Sequence, residues 1–333
     1  MISLRHALAF TTFAMSAIAA TTVSAQAPAQ SPANGPAWPT RTVRVITPQP
    51  PGTGIDISCR IFSEKLAQKW GQAVVVENRP GADGVTGVSA FVNANDDHAL
   101  LCSFGGPITI SPFTAPSKLP YDPATDLKPI AVVADFVQIF AVSKTTGIDS
   151  LEALKKQAKA EAGKLNWSAT QGLPFLLFGS FLRSNQLDMA YVPYTVLGSA
   201  LQDLGQGRIQ AYATSYASIV PLLESKQADV LMVLNGTRAP QLPNVPTAKE
   251  LGMPELTVVS FCGFFGPKDM PDAVRERMAA EIRVIGADPE LTPRMQKMGS
   301  FVRTTTPAEF VQLIDDQRKT VEAILKTTGG LKP

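Results

Sequence analysis

The sequence predicts an α/β protein made of two α/β units, with a chain that returns to the first unit at its end. Strand-like and helical segments alternate as β-α-β-α-β over residues 43–103, which favours a mostly parallel sheet flanked by helices. A second alternation covers residues 150–235, and a strand and two amphipathic helices follow residue 257. The 333 residues, 45% hydrophobic and 17% charged, are enough for two hydrophobic cores.

The first unit opens with a β-branched segment, residues 43–46, that suits a buried strand. Three prolines between residues 48 and 51 cannot continue a sheet ladder, so the strand ends there. Gly52 and Gly54 then permit positive φ, and a helical pattern starts at Asp56. The sequence therefore predicts a strand, a rigid turn and the N-terminus of a helix.

The remaining elements follow from hydrophobic periodicity and turn residues. Strands are predicted at residues 73–77, 99–103, 130–133, 137–142, 165–169, 190–193, 209–214, 230–235 and 257–265. Helices are predicted at residues 85–93, 150–162, 175–185, 198–205 and 271–285, and a capping box at Thr306 and Glu309 starts the last one.

An α/β unit inserted into another has two crossing segments, which we place near residues 137–142 and 257–265. The predicted first lobe is residues 38–140 with 259–333, and the second lobe is residues 141–258. Two lobes joined by two extended segments form a hinge. Ligand sites in such folds lie at the carboxyl ends of strands and between domains.

The Gly52–Gly54 turn is a candidate anion site, because a helix N-terminus presents unpaired N–H groups and the positive end of a dipole. The turn lacks the third glycine of a dinucleotide fingerprint, and no Gly-Lys-Ser/Thr follows it. An ordinary connection without a ligand remains the alternative from these residues alone.

The first 25 residues have the pattern of an export signal. Arg5 and His6 precede an apolar run over residues 7–20, and small residues end at Ala25, where we expect cleavage. The run is shorter than the ~20 residues that span a bilayer. Residues 26–37 are rich in Pro, Ala and Gln and predict a disordered tether. The expected location of the mature protein is the periplasm.

The three cysteines, Cys59, Cys102 and Cys262, all lie in apolar settings. Export implies an oxidising compartment, and an odd count leaves at least one thiol unpaired. Buried thiols without a bridge and a Cys102–Cys262 bridge are both compatible with the sequence.

Few residues suggest catalysis. The mature chain has one histidine, His98, in a polar turn where we expect it to be solvated. There is no G-x-S-x-G or H-E-x-x-H motif, and His98 and the cysteines lack metal-ligand spacing. A net charge of +2 without a basic patch gives no reason to expect nucleic acid. We therefore expect no enzyme, no cofactor and no metal, but a solute-binding receptor.

The sequence resembles a known family, the Bug-type periplasmic receptors of tripartite tricarboxylate transporters. Seven stretches match its pattern in order: WPTR at 38–41, PPGTGID at 50–56, VVVENRPGA at 74–82, LPYDP at 119–123, GKLN at 163–166, VPY at 192–194 and NVPT at 244–247. The match covers residues 38–333. The resemblance implies a two-lobed periplasmic-binding-protein (Venus flytrap) fold that captures small organic carboxylates.

The resemblance also implies where the carboxylate binds. In the first lobe the candidate residues are Pro51, Gly52, Thr53, Gly54, Asp56, Ser103, Phe104, Gly105 and Gly106. In the second lobe they are Thr170, Gln171, Gly172, Thr195 and Thr214. Backbone amides and hydroxyls suit an anion because they carry fixed dipoles. Asp56 could instead serve only to cap its helix.

The chain departs from the family pattern at the rim of the pocket. The usual Lys-Gly-Gly after VPY is Thr195-Val196-Leu197, and a usual aspartate is Thr214. Since Thr214 cannot pair with an ammonium group, we expect a ligand without an amino group and with an apolar or aromatic body.

The expected function is delivery of the carboxylate to integral-membrane transporter subunits by a monomeric receptor. The alternative is a receptor of the same fold that hands its ligand to a two-component sensor kinase.

Overall fold

Two β-sheets organise the structure. The computed structural model describes residues 38–328 except 116, 118 and 195, and both sheets belong to one compact unit. The predicted signal peptide, the predicted tether and Thr195 lie outside the described residues. Of the helices in the described part of the chain, none is long and apolar enough to cross a membrane.

Eleven strands form these sheets in the described residues. They are β1 (Val43–Thr47), β2 (Val74–Asn78), β3 (Ala99–Phe104), β4 (Leu127–Phe136), β5 (Gln138–Ser143), β6 (Asn166–Ala169), β7 (Ala190–Tyr191), β8 (Ala211–Ser215), β9 (Ala228–Val233), β10 (Ser260–Pro267) and β11 (Ser300–Val302). The first sheet has the order β11-β4-β10-β3-β1-β2, and the second has the order β7-β6-β8-β5-β9.

The helices flank both sheets. They are α1 (Gly54–Trp70), α2 (Val85–Ala94), α3 (Ser111–Thr114), α4 (Leu151–Ala160), α5 (Leu173–Ser184), α6 (Leu197–Gly205), α7 (Tyr216–Glu224), α8 (Asp272–Gly286), α9 (Leu291–Gln296) and α10 (Pro307–Thr328). A π-helical turn, Gly106–Ile110, joins β3 to α3. We call each sheet with its packed helices a lobe.

The predicted α/β class with two lobes is confirmed, but both sheets are mixed and not mostly parallel as predicted. Strand β1 is parallel to β2 and β3, whereas β10 runs antiparallel to β3 and β4. Strand β6 is parallel to β7 and β8, whereas β5 is antiparallel to β8 and β9. The antiparallel pairs arise where the chain leaves the first sheet through β4 and β5 and returns through β10. The lobe boundaries at residues 140 and 258 stay a prediction.

Helix α10 belongs to the cores of both lobes. Phe310 and Ile314, near its start, pack in a core of the first lobe beside Phe261 and Phe265. Val321 and Ile324, further along, pack in a core of the second lobe. A single rigid helix therefore contacts both lobes on the side of the crossing segments.

A polar cluster joins the two crossing segments. The side chain of Asn235 accepts a hydrogen bond from Gln138 N at 2.9 Å and donates one to Phe136 O at 3.0 Å. The carboxylate of Asp135 accepts a hydrogen bond from Ser260 N at 3.0 Å. Residues of both crossings are thus held together by side chains as well as by sheet pairing.

The pairing of the cysteines differs from the pairing considered from the sequence. Cys59 on α1 and Cys102 on β3 form a disulfide, and Cys262 on β10 is a buried free thiol. The Cys262 Sγ lies 3.8 Å from Cys59 Sγ and 3.6 Å from Cys102 Sγ. The prediction of buried thiols without a bridge is therefore correct for Cys262 and wrong for Cys59 and Cys102, and no Cys102–Cys262 bridge forms. The packing of α1 onto β3 decides which pair meets.

His98 was predicted to be solvated and is instead buried, with 4% of its surface exposed. Its Nε2 accepts a hydrogen bond from Thr40 N at 3.0 Å, and its Nδ1 lies 2.9 Å from Asp97 Oδ1. His98 therefore holds the segment that precedes β1 in place and has a structural role.

We expect the stability of the fold to depend on Asp135 in a pH-dependent way. Burial raises the pKa of Asp135 to about 6, although Arg303 and hydrogen bonds from Ser260 and Asn235 partly oppose the shift. Since an exposed aspartate has a pKa of ~3.9, the folded state binds this proton more tightly. Acidification from pH 7 to 5 should therefore stabilise the folded state by about 1 kcal/mol through this group.

Urea unfolding of the wild type and Asp135→Asn at both pH values tests this. The wild type should gain about 1 kcal/mol over the variant on acidification. Asp315→Asn, at an exposed carboxylate of α10, is the control for losing one negative charge. If the free energy of unfolding of the wild type does not rise relative to that of Asp135→Asn between pH 7 and pH 5, the assignment is contradicted.

The disulfide should stabilise the first lobe. Its loop spans 43 residues, and closing such a loop restricts the unfolded chain by about 2–4 kcal/mol. The Cys59→Ala/Cys102→Ala variant should lose that free energy of unfolding, and Cys262→Ala should keep the bridge. Thiol titration in denaturant should find one thiol in the wild type and none in Cys262→Ala. Three thiols in the oxidised wild type would refute the pairing.

Candidate functional site

The turn between β1 and α1 is the best-defined part of the candidate site. Gly52 has φ +81°, and no atom lies within 4 Å of the position that a Cβ would take. Thr53 caps α1, since its Oγ1 accepts a hydrogen bond from Asp56 N at 3.3 Å. The first intrahelical bond, from Ile57 N to Thr53 O, measures 2.9 Å. The amides of Gly54 and Ile55 precede it, so they form the positive end of the helix.

Asp56 holds this turn from inside. Its side chain is 2% exposed, and its carboxylate accepts hydrogen bonds from Gly52 N at 2.9 Å and from Asn78 Nδ2 at 2.7 Å. Arg60 Nε lies 3.1 Å from both carboxylate oxygens. Burial by itself would raise the pKa of Asp56, but the bonds from Arg60, Asn78 and Gly52 outweigh it and lower the pKa. The carboxylate is therefore ionised, and both of its oxygens accept hydrogen bonds.

Asn78 ties the same turn to the end of β2. Its Nδ2 also donates to Gln49 O at 2.9 Å, and its Oδ1 accepts a bond from Arg60 Nη2 at 2.8 Å. Beside it, Arg79 lies 3.5 Å from Glu77. The motif VVVENRPGA thus supplies a clamp for the first turn.

The loop after β3 lies at the same edge of the sheet, because β3 is parallel to β1. Ser103 is fully buried, and its hydroxyl donates to Phe104 O at 3.2 Å. The ring of Phe104 covers Gly106, where a Cβ would lie 2.5 Å from the ring. A Cβ on Gly105 would lie 2.5 Å from Gln317 Oε1 of α10. Both glycines are therefore required by close packing.

A cluster of hydroxyl groups occupies the matching edge of the second sheet. Thr170 Oγ1 lies 2.8 Å from Thr214 Oγ1 and 3.3 Å from Tyr212 OH. Thr214 is fully buried, whereas Thr170 is exposed. Gln171 Nε2 donates to Tyr191 OH at 2.9 Å. Gly172, with φ +88°, then leads into α5.

The two edges meet at residues 298 and 299. A Cβ on Gly54 would lie 3.0 Å from Phe136 Cε1 and 4.0 Å from Met298 O. On the next residue, a Cβ on Gly299 would lie 2.9 Å from Ala217 N, at the start of α7. The N-termini of α1 and α7 therefore lie on either side of one turn.

A second point of approach lies further along the same edges. A Cβ on Gly172 would lie 3.9 Å from Ile110 Cδ1 of the first lobe. Thirteen of the fourteen predicted residues thus lie at or just after the carboxyl ends of parallel strands in the two sheets, and Thr195 lies outside the described residues. Asp56 belongs to this group by position, but its carboxylate faces Gly52, Asn78 and Arg60.

Several residues at these edges were not predicted from the sequence as site residues, namely Phe136, Tyr191, Tyr212, Tyr216, Met298 and Gly299. Tyr191 and Tyr216 stand at the ends of predicted strands, which is a position that could have identified them. Met298 and Gly299 carry no such signal, because only the folded chain brings them to the cleft.

Apart from Asp56, the segments around the predicted site residues and residues 298–299 carry no charged side chain, whereas Arg79, after β2 at the same edge of the first sheet, is exposed. These segments are residues 48–55, 103–106, 170–172, 214–217 and 298–299. Helix N-termini and hydroxyl groups therefore set the electrostatics, which favour an anion and offer no group for acid–base catalysis.

Two clusters of possible metal ligands occur among the described residues, away from these edges. Cys59, Cys102 and Cys262 form one, and Asp96, Asp97 and His98 form the other. The first holds the disulfide, and Arg41 Nη2 lies within 2.7 Å of both aspartates of the second. In each cluster, at least two of the three residues are therefore already bonded within the protein.

Comparison with known proteins identifies the family of the chain. The model of the tripartite tricarboxylate transporter family receptor matches residues 58–330. The chain belongs to this family. Its members are solute-binding receptors of the periplasm, so the protein is a receptor and not an enzyme.

Individual relatives cover most of the chain. The UPF0065 protein in the tcbD-tcbE intergenic region of Pseudomonas sp. (strain P51) is 32% identical over 285 residues, 84% of each chain. A solved structure described as a periplasmic transporter is 28% identical, covers 87% of this chain and 97% of its own, and has a TM-score of 0.76. R. palustris Rpa4515 with adipate is 23% identical, with coverages of 88% and 98% and a TM-score of 0.76.

If Asp56 supports the turn, its removal should destabilise the protein. Asp56→Ala leaves Gly52 N, Asn78 and Arg60 without their acceptor, which should cost about 1–3 kcal/mol in urea unfolding. Glu64→Ala, at an exposed carboxylate on the same helix, is the matched control and should change stability by at most ~0.5 kcal/mol. Equal stabilities of the two variants would contradict a supporting role.

Proposed function

We propose that the protein captures a small organic carboxylate between its two lobes and delivers it to the membrane subunits of a tripartite tricarboxylate-type transporter. The observation that carries the proposal is the N-terminus of α1, which lies beside Phe136 and Met298, next to the residue that approaches the start of α7. Fixed amide dipoles bind an anion without a counter-charge, so the ligand can leave when the lobes separate.

In this proposal the carboxylate lies against the amides of Gly54 and Ile55 and against Thr53. Pro51 and Gly52 shape the turn, and Asp56 acts by holding Gly52 in place. The other binding residues are Ser103, Phe104, Gly105 and Gly106 in the first lobe and Thr170, Gln171, Gly172, Thr195 and Thr214 in the second.

The similarity to Rpa4515 supports the fold alone, because the identity is 23%. Because that protein is described with adipate, adipate is a reasonable member of a first ligand panel. Malate and benzoate complete the panel as a hydroxylated and an aromatic acid.

A carboxylate that binds should raise the thermal stability of the protein. At 100 times its dissociation constant it should stabilise the folded state by about 2.7 kcal/mol. Gly54→Pro and Gly54→Ala both add a Cβ near Phe136, but only proline removes the amide, and proline is well tolerated at the first position of a helix. Since a hydrogen bond to a charged group contributes about 1.5–3 kcal/mol, Gly54→Pro should bind at least tenfold more weakly than Gly54→Ala.

Calorimetric titration of the wild type and both variants distinguishes the outcomes. Equal affinities of Gly54→Pro and Gly54→Ala would show that the carboxylate does not bind at the start of α1. A protein that binds no carboxylate would refute the proposed function altogether. Delivery is tested separately by uptake into vesicles that contain the transporter subunits, and capture of a sensor-kinase domain instead would contradict the transporter assignment.

A further inference from the structure

The two edges of the cleft differ in what they offer a ligand. The first-lobe edge has free amides at the start of α1. In the second lobe, Pro174 at the second position of α5 has no N–H, and the amide of Tyr216 already donates to Val137 O at 2.8 Å. The second-lobe edge therefore offers fewer free backbone amides to a carboxylate.

The second-lobe edge also lacks any charged side chain. The segments 170–172, 192–198 and 214–218, which follow β6, β7 and β8, contain no Asp, Glu, Lys or Arg. Within them, Tyr194 OH donates to Asp203 at 2.6 Å, and Arg208 lies 2.8 Å from the same carboxylate. A charged group of a ligand enclosed here would lose its hydration without gaining a partner of opposite charge.

Apolar side chains are instead exposed on this edge. Val196 is 59% and Leu197 is 44% exposed, and both follow β7, which is parallel to β6. The half-buried ring of Tyr191, at the end of β7, packs on Trp167 and Phe175 with centroids 4.9 and 5.0 Å apart. Phe175 itself is buried, so the rim is formed by Tyr191, Val196 and Leu197.

The first lobe also exposes an apolar side chain near its contact with the second lobe. Phe113 is 38% exposed and lies three residues after Ile110, which approaches Gly172. Three of the seven exposed large hydrophobic side chains in the described chain thus lie on α3, on α6 or just before α6. Apolar surface on both lobes favours a ligand with an apolar body.

We propose that the ligand is a monocarboxylate with an uncharged apolar or aromatic body and without an ammonium group. Its carboxylate lies at the start of α1, and its body contacts Tyr191, Val196 and Leu197. The inference rests on the proposed function and names the chemical class that the same site selects.

A series of six-carbon probes tests the proposal by changing one end at a time. Hexanoate has the predicted form, adipate adds a second carboxylate, 6-aminohexanoate adds an ammonium, and hexanamide removes the charge. Benzoate and terephthalate make the same comparison for an aromatic body. Isothermal titration calorimetry at pH 7.5 should show hexanoate or benzoate binding at least tenfold more tightly than its doubly charged counterpart, and no binding of hexanamide.

A substitution at the rim should invert the order. Val196→Lys adds a cation at an exposed position, so it should strengthen adipate binding at least tenfold and weaken hexanoate binding. Val284→Lys, at a 66% exposed valine of α8, is the matched control and should leave both affinities unchanged.

The outcomes separate the two proposals. If adipate, malate or 6-aminohexanoate binds as tightly as hexanoate and benzoate, or binds while they do not, the inference is wrong and the proposed function stands. If no carboxylate of either panel binds, the proposed function fails and the inference falls with it.

Discussion

The buried carboxylate of Asp56 is the interaction on which the geometry of the first lobe's edge depends. A left-handed glycine and three nearby prolines leave the turn before α1 few internal hydrogen bonds. Asp56 supplies the missing acceptor for Gly52, and Asn78 and Arg60 complete the shell around it. Because this shell neutralises the carboxylate, the helix can present a positive end beside an acidic residue without losing its attraction for anions.

The same shell connects the sequence motifs to one another. Asp56 comes from the turn motif and Asn78 from the end of β2, so two distant segments stabilise one structure. The disulfide adds a covalent link between α1 and β3, whose following loop forms the neighbouring part of the edge. The first lobe therefore offers a preorganised surface, on which little ordering remains to be done when a ligand binds.

Side chains hold the connection between the lobes. The crossings at Val137 and before β10 are joined through Asn235 and Asp135. Helix α10 contacts both cores, and its Gln317 accepts a hydrogen bond from Thr109 and donates one to Val259 O. The turn after β3 and the crossing segment before β10 are thus held by the same side chain.

The sequence by itself determined the α/β class, the order of most elements, the receptor family and the strand-turn-helix unit at Gly52–Gly54. These features follow from local causes, namely the periodicity of apolar residues, the backbone limits of proline and glycine, and short motifs.

Only the tertiary structure decided which distant groups meet. Cys59 pairs with Cys102 because α1 packs on β3, and His98 is buried because the segment before β1 folds over it. Asp56 faces inward because Asn78 and Arg60 reach it, and Met298 and Gly299 join the cleft through the return of the chain after β10. These contacts depend on the relative positions of elements far apart in sequence, which no local pattern specifies.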